Sequence, residues 1–395
     1  MIRIFLFCLL PLTFWAGERR LSMLAKPPDW TELEKFQKSL TREEFEDRMD
    51  TLYAPYAQWR SWFSVSDSGV AVVMDSERPS LRYFISFAPS PPENQDISPF
   101  HGEVLHVALD PGHIGGDFGP LEHRHFQIGD SLPVQEGDLV LAVAERIKAE
   151  LEKRGARVSL VRDRPEPVTP QRPEDFRREA ERLIRLDFPK LEPGSEEWNR
   201  AVERRQRLLF YRVSEIRTRA LRVNKILQPD LVLALHINAE AWPEEKQQTL
   251  VEKSHFHLLV NGAYLDSELA LDDVRFALTR KVFSREWARE KAMALPLIEA
   301  FQKKTGLPPY TYTGKNAVPL LENPYLYGRN LMANRLYEAP VLFLEPYVAN
   351  SESDFARIQD YLKGETDGSP PEDSIVEEYV EAVVFGLQSW LERTK

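Results

Sequence analysis

A single cysteine, Cys8, in a chain of 395 residues excludes an internal disulfide framework. Beyond the first twenty residues no stretch of 18 consecutive apolar residues occurs, so no transmembrane helix is expected there. Excess positive charge is also missing: the net charge is −11, which argues against nucleic acid as a general partner. Internal repeats are lacking as well. What remains is the composition of an ordinary globular protein, 43% hydrophobic and 29% charged, long enough for a large core and two domains.

The amino terminus differs from the rest. Arg3 is followed by a mostly apolar run, Ile4–Trp15, too short to span a bilayer. It fits a signal peptide over residues 1–17, cut near Ala16 or Gly17, with an uncleaved anchor or buried helix as the alternative. Cys8 lies inside this run without the small residues that precede a lipidated cysteine. The mature chain is therefore expected to hold no cysteine and to be exported to the periplasm or surface of a bacterium.

Residues 18–98 read as a small α+β module. Leu40-Thr41-Arg42-Glu43-Glu44 has the residues of a helix start, and Gly69–Met74 and Leu81–Phe87 read as two strands around a polar turn. Ala88–Pro99 contains four prolines and reads as a linker. Trp30, Trp59, Trp62, Phe63 and Tyr83 read as a small core, with a sugar-stacking surface as the alternative.

Residues 99–395 open with a βαβ pattern. A strand at 104–109 precedes a helix from Asp138 to Lys153, in which Leu139, Val143, Ile147 and Leu151 mark one buried face. The turn at Gly155 and a strand at Arg157–Val161 complete the unit. Further strands are expected at 231–237, 255–261 and 340–345, with a closing helix at Ser374–Leu391. The predicted fold is α/β: a mixed, largely parallel sheet flanked by helices, interrupted by a helical insertion at about 165–215. Val202, Leu209, Ile216 and Val223 are spaced by seven, which predicts one helix of about 30 residues that packs a face on the sheet and ends before Pro229. From Arg162 to Lys225 there are 17 Lys or Arg and 12 Asp or Glu. That surplus reads as a solvated face, or as a groove where Arg204, Arg205 or Arg212 attract acidic peptides.

Two histidines stand where apolar strands end. His113 closes L-D-P-G-H, and His236 follows Leu231–Leu235 in L-V-L-A-L-H-I-N-A. In open α/β sheets ligands bind outside the carboxyl ends of strands. A catalytic zinc site uses two imidazoles and a carboxylate and leaves one position open for water. Glu136, in V-Q-E-G-D-L, supplies the carboxylate, so His113, Glu136 and His236 are the candidate metal ligands.

These blocks occur in a fixed order: V-A-L-D-P-G-H-I-G-G-D, Q-E-G-D-L-V-L-A-V-A-E-R-I, R-G-A-R-V-S-L-V-R-D, R-A-L-R-V-N and L-V-L-A-L-H-I-N-A. That order resembles the zinc-dependent N-acetylmuramoyl-L-alanine amidases of the amidase-3 type, over about residues 103–392. The resemblance implies zinc as cofactor, peptidoglycan as substrate, and Glu345, in A-P-V-L-F-L-E-P-Y-V-A-N, as the catalytic carboxylate. Asp110, and Asn238 two residues past His236, read as residues that orient the ligands from behind, with a structural turn cap as the rival reading of Asp110. His255 and His257 alternate along a strand and read as substrate-facing or structural. Arg219 and Asn224 match family positions and read as packing and capping residues. In some family members an inserted helix blocks the zinc until an activator protein acts. The charged helical segment between the strands at 157–161 and 231–237, or that from about Trp242 to Gly306, is the candidate blocker here.

The chain departs from the family in two places. His113 and Glu136 are 23 positions apart, more than is usual, and the longer loop carries Glu122, His123 and His125 as other candidate ligands. After Glu345 come Pro346 and an early Asn350, so this loop is expected to take another path. Two other functions stay open: a zinc peptidase acting on stem peptides, and a non-catalytic wall-binding regulator.

Overall fold

The computed structural model describes residues 20–91, 104–242, 249–369 and 371–394. The expected leader at 1–17 and part of the expected linker lie outside the described residues. Near the amino end, β1 (Phe63–Val65), β2 (Gly69–Val73) and β3 (Arg82–Ser86) form an antiparallel sheet in that order. The helix start at Thr41 is a capping box, in which Thr41 and Glu44 satisfy each other's backbone N–H groups.

The main sheet contains β4 (His106–Pro111), β7 (Arg157–Leu160), β8 (Leu231–Leu235), β9 (Phe256–Val260), β10 (Val318–Leu320), β11 (Asn323–Gly328) and β12 (Val341–Pro346). A two-residue hairpin, β5 (His125–Phe126) and β6 (Val134–Gln135), lies between β4 and β7. The main sheet has the order β10-β11-β9-β12-β8-β4-β7. β7, β4, β8 and β12 run parallel, as do β9 and β11. The β12–β9 and β10–β11 pairs are antiparallel. The sheet is thus mixed and largely parallel.

Every residue of β4, β8 and β9 is buried, as expected for strands covered on both faces. Val107, Leu233, Leu258 and Leu344 face a core shared with helices Glu136–Lys153, Glu286–Thr305 and Ile375–Arg393. Ala108, Ala234, Leu259 and Phe343 face a second core with Ala220, Val223, Ala333 and Tyr337. Side chains alternate along strands. Two residues on from Ala108, Ala234 and Phe343 stand Asp110, His236 and Glu345, and two before Leu259 stands His257. The sheet's period of two therefore lines up polar residues of four neighbouring strands on one face, at the carboxyl edge of β4, β8 and β12.

The predicted 30-residue helix is a continuous helical run, Glu196–Leu227, with wide π turns at Leu209–Ser214 and Arg222–Leu227. Its apolar stripe serves two cores. Val202, Leu209 and Val213 pack with Phe176, Ala180 and Leu183 of the insertion, while Ala220 and Val223, flanked by the half-buried Ile216 and Leu227, pack on the sheet. Trp30, Trp59 and Phe63 are buried in the main core, where Phe45 meets Phe283 at a centroid distance of 5.5 Å. Core packing, not sugar stacking, uses these rings.

One buried carboxylate bears on stability. Glu290 sits in helix Glu286–Thr305, and its Oε1 accepts the N–H of Val341 at 3.0 Å where β12 begins. Burial, helped by Glu286 and opposed by Lys281, pushes its pKa up to about 7. A carboxyl whose pKa rises on folding contributes stability that is complete below its unfolded value and lost as pH rises through the folded one. The wild type is therefore expected to lose on the order of 2–3 kcal/mol through this group between pH 5 and pH 8. Glu290→Gln keeps an acceptor for Val341 and should flatten that part of the profile. Urea unfolding of both proteins at the two pH values checks it, and equal slopes would contradict it.

Candidate metal centre

β4 delivers its ligand through a tight turn. Gly112 N–H donates to Leu235 O at 2.8 Å, and His113 takes a left-handed backbone with φ of 56°. A Cβ on Gly112 would lie 2.3 Å from Cε1 of the His236 ring, so this turn requires glycine. Arg219 clamps the turn from the far side. Its Nη1 donates to Asp110 Oδ1 at 2.8 Å and to Pro111 O at 2.7 Å, and its Nη2 donates to His113 O. Its Nε donates to Glu215 at 2.7 Å, and Tyr337 O–H donates to the other Asp110 oxygen. Asp110 is therefore part of a buried network under the turn rather than a local turn cap.

Glu136 is the first residue of its helix, two positions earlier than the sequence pattern suggests. Gln135 is extended and ends β6, and an acidic residue suits a helix amino terminus. A Cβ on the next residue, Gly137, would meet Ile114 O at 2.3 Å, so glycine lets the helix start press against the loop that follows His113. Arg162 ties the two segments together, donating to Gly137 O at 2.7 Å and Gly112 O at 3.3 Å.

Ligand atoms of His113, Glu136 and His236 all lie within 4.8 Å of one another. Glu136 Oε1 faces His236 Nδ1 at 3.1 Å and accepts Ile237 N–H at 3.2 Å, while Oε2 faces His113 Nε2 at 3.4 Å. The two imidazoles stand edge to face, 5.1 Å apart, and His236 stacks on Phe343 at 5.3 Å. Burial works against the Glu136 carboxylate, yet the charge of His113, the hydrogen bond from His236 and Arg124 hold its pKa down to about 2. Burial likewise opposes a charge on His236, and Glu345 and Glu136 overcome it and raise the pKa. An ionised carboxylate between two imidazoles, helping to hold a proton on His236, is a donor set suited to a divalent cation. Such a cation replaces that proton on binding.

Glu345 is the penultimate residue of β12, beside His236, whose N–H donates to Leu344 O at 3.0 Å. Burial pushes its pKa up, with His236 and Arg124 opposing and Glu136 assisting. His257 is its register partner on β9. Burial, with His255 and Arg329, drives the His257 pKa down to about 3, so the ring is neutral. Tyr312 Oη is hydrogen-bonded to its Nε2 at 2.9 Å and accepts from Arg329 at 3.1 Å. His255 is buried against Tyr310 and lies 3.4 Å from Glu240.

Asn238 turns inward on its own loop. Its Oδ1 accepts Ala239 N–H, and its carbonyl accepts Ala349 N–H. Asn350 is tied to Glu240 by two hydrogen bonds of 2.9 Å, which hold the loop after Glu345. Asn224 caps as expected, binding Leu336 O and Glu338 N–H. Of the other candidate ligands, His123 is exposed, His125 lies in β5, and Glu122 is hydrogen-bonded to His113 at Nδ1, away from Glu136. Arg205 pairs with Asp187 at 2.9 Å, and Arg204 lines an apolar cleft of about 480 Å³ with Phe188 and Leu191 on the insertion. Sequence reasoning missed Arg124, Arg162, Tyr312 and Tyr337. No spacing signal marks them: Arg124 lies in the loop between the first two ligands, and Arg162, Tyr312 and Tyr337 join the site from other segments.

A family model described as N-acetylmuramoyl-L-alanine amidase matches residues 107–361. Among solved structures, the chain is similar to the N-acetylmuramyl-L-alanine amidase Ami1 from Mycobacterium smegmatis. Identity there is 16%, coverage 73% of this chain and 97% of that one, and TM-score 0.39. It is also similar to the CwlD amidase from Clostridioides difficile, solved in complex with the GerS lipoprotein (12% identity, 73% and 99% coverage, TM-score 0.40). A third is the amidase AmiC2 of Nostoc punctiforme (14%, 73% and 98%, TM-score 0.35). No curated protein matches.

Proposed function

Because the chain belongs to the N-acetylmuramoyl-L-alanine amidase family, whose model matches more than half of it, we propose that it cleaves peptidoglycan with zinc held by His113, Glu136 and His236. The bond is the amide between N-acetylmuramic acid and L-alanine. The observation that carries the reading is the ionised Glu136 carboxylate set between two imidazoles at 3.1 and 3.4 Å, beside a second buried carboxylate, Glu345.

When bound, zinc supplies a Lewis acid and lowers the pKa of water at the position left open by three protein ligands. The chain's own residues do the rest. Glu345, with its proton affinity raised by burial, takes a proton from the attacking water and passes it to the departing amine. A C–O bond forms at the lactyl carbonyl and the C–N bond breaks, freeing the amino group of L-alanine. The neutral His257 leaves Glu345 without a competing cation on that side. Asp110 acts through Arg219, which holds the carbonyls of Pro111 and His113.

The side chains of His113 and His236 are 22% and 16% exposed, and the insertion spends its apolar face on Ile114 and its own core. These facts support a metal edge open to substrate, with the insertion as a buttress. Peptidoglycan lies outside the cytoplasmic membrane, so the proposal includes export to the periplasm or cell surface. Among the described residues no helix is long and apolar enough to cross a membrane.

Digestion of purified muropeptides followed by mass analysis tests the reaction. The expected product is an intact stem peptide with a free L-alanine amino terminus, lost on chelation and regained with zinc. Release of single amino acids would instead identify a peptidase.

A further inference from the structure

The long loop between the first two ligands carries a buried carboxylate that the mechanism above does not use. Glu122 ends a short turn, Gly116–Glu122, and its side chain is only 2% exposed. Its Oε2 lies 2.7 Å from His113 Nδ1. The other ring nitrogen, Nε2, faces Glu136. We infer that Glu122 is a positioning residue for the metal centre: it holds the proton on His113 Nδ1 and so presents Nε2 to the cation. The inference rests on the metal-site reading above.

Three observations support it. A carboxylate taken out of water is costly unless charged or hydrogen-bonded partners compensate it, and His113 is the hydrogen-bond partner of this side chain among the described residues. The turn is also held in place. Phe118 and Leu121 pack into the insertion core with Phe176 and Trp198, and Phe118 meets Phe210 at 5.8 Å. His123 closes the turn in a left-handed conformation, with hydrogen bonds from His123 N–H to Pro120 O and from Arg124 N–H to Gly119 O. Finally, a carboxylate behind a metal-binding imidazole fixes its tautomer and orientation and raises its basicity. The extra residues between the ligands and the helical insertion thus form one device that sets the His113 ring.

The test uses the full mature chain and needs no turnover. Zinc affinity is measured by chelator competition for wild type, Glu122→Ala, Glu122→Gln and Glu136→Gln, with urea unfolding as a check on folding. In parallel, ¹⁵N NMR of metal-free protein, at a pH where the imidazole is neutral, reads which nitrogen of His113 carries the proton. Glu122→Ala should bind zinc about 10–100-fold more weakly. Glu122→Gln, whose amide oxygen still accepts from Nδ1–H, should stay close to wild type, and Glu136→Gln should lose far more. Wild-type affinity in Glu122→Ala would overturn the inference, and so would a loss in Glu122→Gln equal to that in Glu136→Gln, which would make Glu122 a ligand. If the alanine variant does not fold, the tautomer decides: a proton on Nε2 of wild-type His113 overturns the inference. Failure of the underlying site reading looks different, because wild type would then bind no zinc or Glu136→Gln would bind it normally.

Discussion

Glu345→Gln is expected to keep its zinc and lose about 10²–10⁴-fold in turnover, the usual contribution of a positioned general acid–base group. The amide is nearly the same size as the carboxylate and can occupy the same place at the end of β12, next to His236 and opposite His257. It cannot take a proton from water. The three candidate ligands are untouched, so metal content should remain near one per chain. His113→Ala separates the two roles, because it removes a ligand from a set of only three and should lose metal and turnover together. Metal analysis and muropeptide turnover on the same samples make the comparison. Near-normal turnover in Glu345→Gln would remove it from the proton-transfer role.

The second large effect is on folding. Arg219 is buried and serves Asp110, Glu215 and the carbonyls of Pro111 and His113 at once. Burial works against its charge, but Glu215 and Asp110 hold its proton more firmly than usual. Glu215 in turn accepts the N–H groups of Val168 and Thr169. Arg219→Ala therefore leaves two buried carboxylates without their cation, a change that costs about 3–5 kcal/mol. Measured against a typical total of about 5–15 kcal/mol, that is a large share of the stability. Arg219→Lys should recover little, since one ammonium cannot reproduce the fork that spans side-chain and backbone acceptors. Urea unfolding of the three proteins is the measurement, and a loss below about 1 kcal/mol in the alanine variant would show that the network is dispensable.

Several elements were legible because their signals are local. Apolar runs before His113 and His236 gave β4 and β8, and the four-residue period of Leu139, Val143, Ile147 and Leu151 gave the helix behind Glu136. Helix Asp272–Phe283 was not legible. Its Arg275, Thr279, Arg280 and Lys281 are buried along with Val274 and Leu278, so no polar stripe alternates with an apolar one. Helix Glu286–Thr305 carries Pro296 in its interior, which reads locally as a break. The edge strand β10 has three residues and contains Pro319, and β11 beside it carries Pro324 as its second residue, a pattern that disguises both strands.

The sequence by itself determined the chemical kinds of the site: two histidines and an acid at element ends, a second acid on a late strand, and a family order that joins them. Those signals lie within short windows, where strand endings and helix periods are set by neighbouring residues. Only the tertiary structure shows which edge of the His113 ring each acid faces. Glu122 and Glu136 both lie within 23 positions of His113, and although the apolar helix after Glu136 favours it as ligand, nothing local shows where the Glu122 side chain goes. The packed insertion sets Glu122 against Nδ1, and the helix start sets Glu136 against Nε2 and the His236 ring. The choice depends on which edge of one imidazole each loop reaches, a matter of a few ångströms that long-range packing controls.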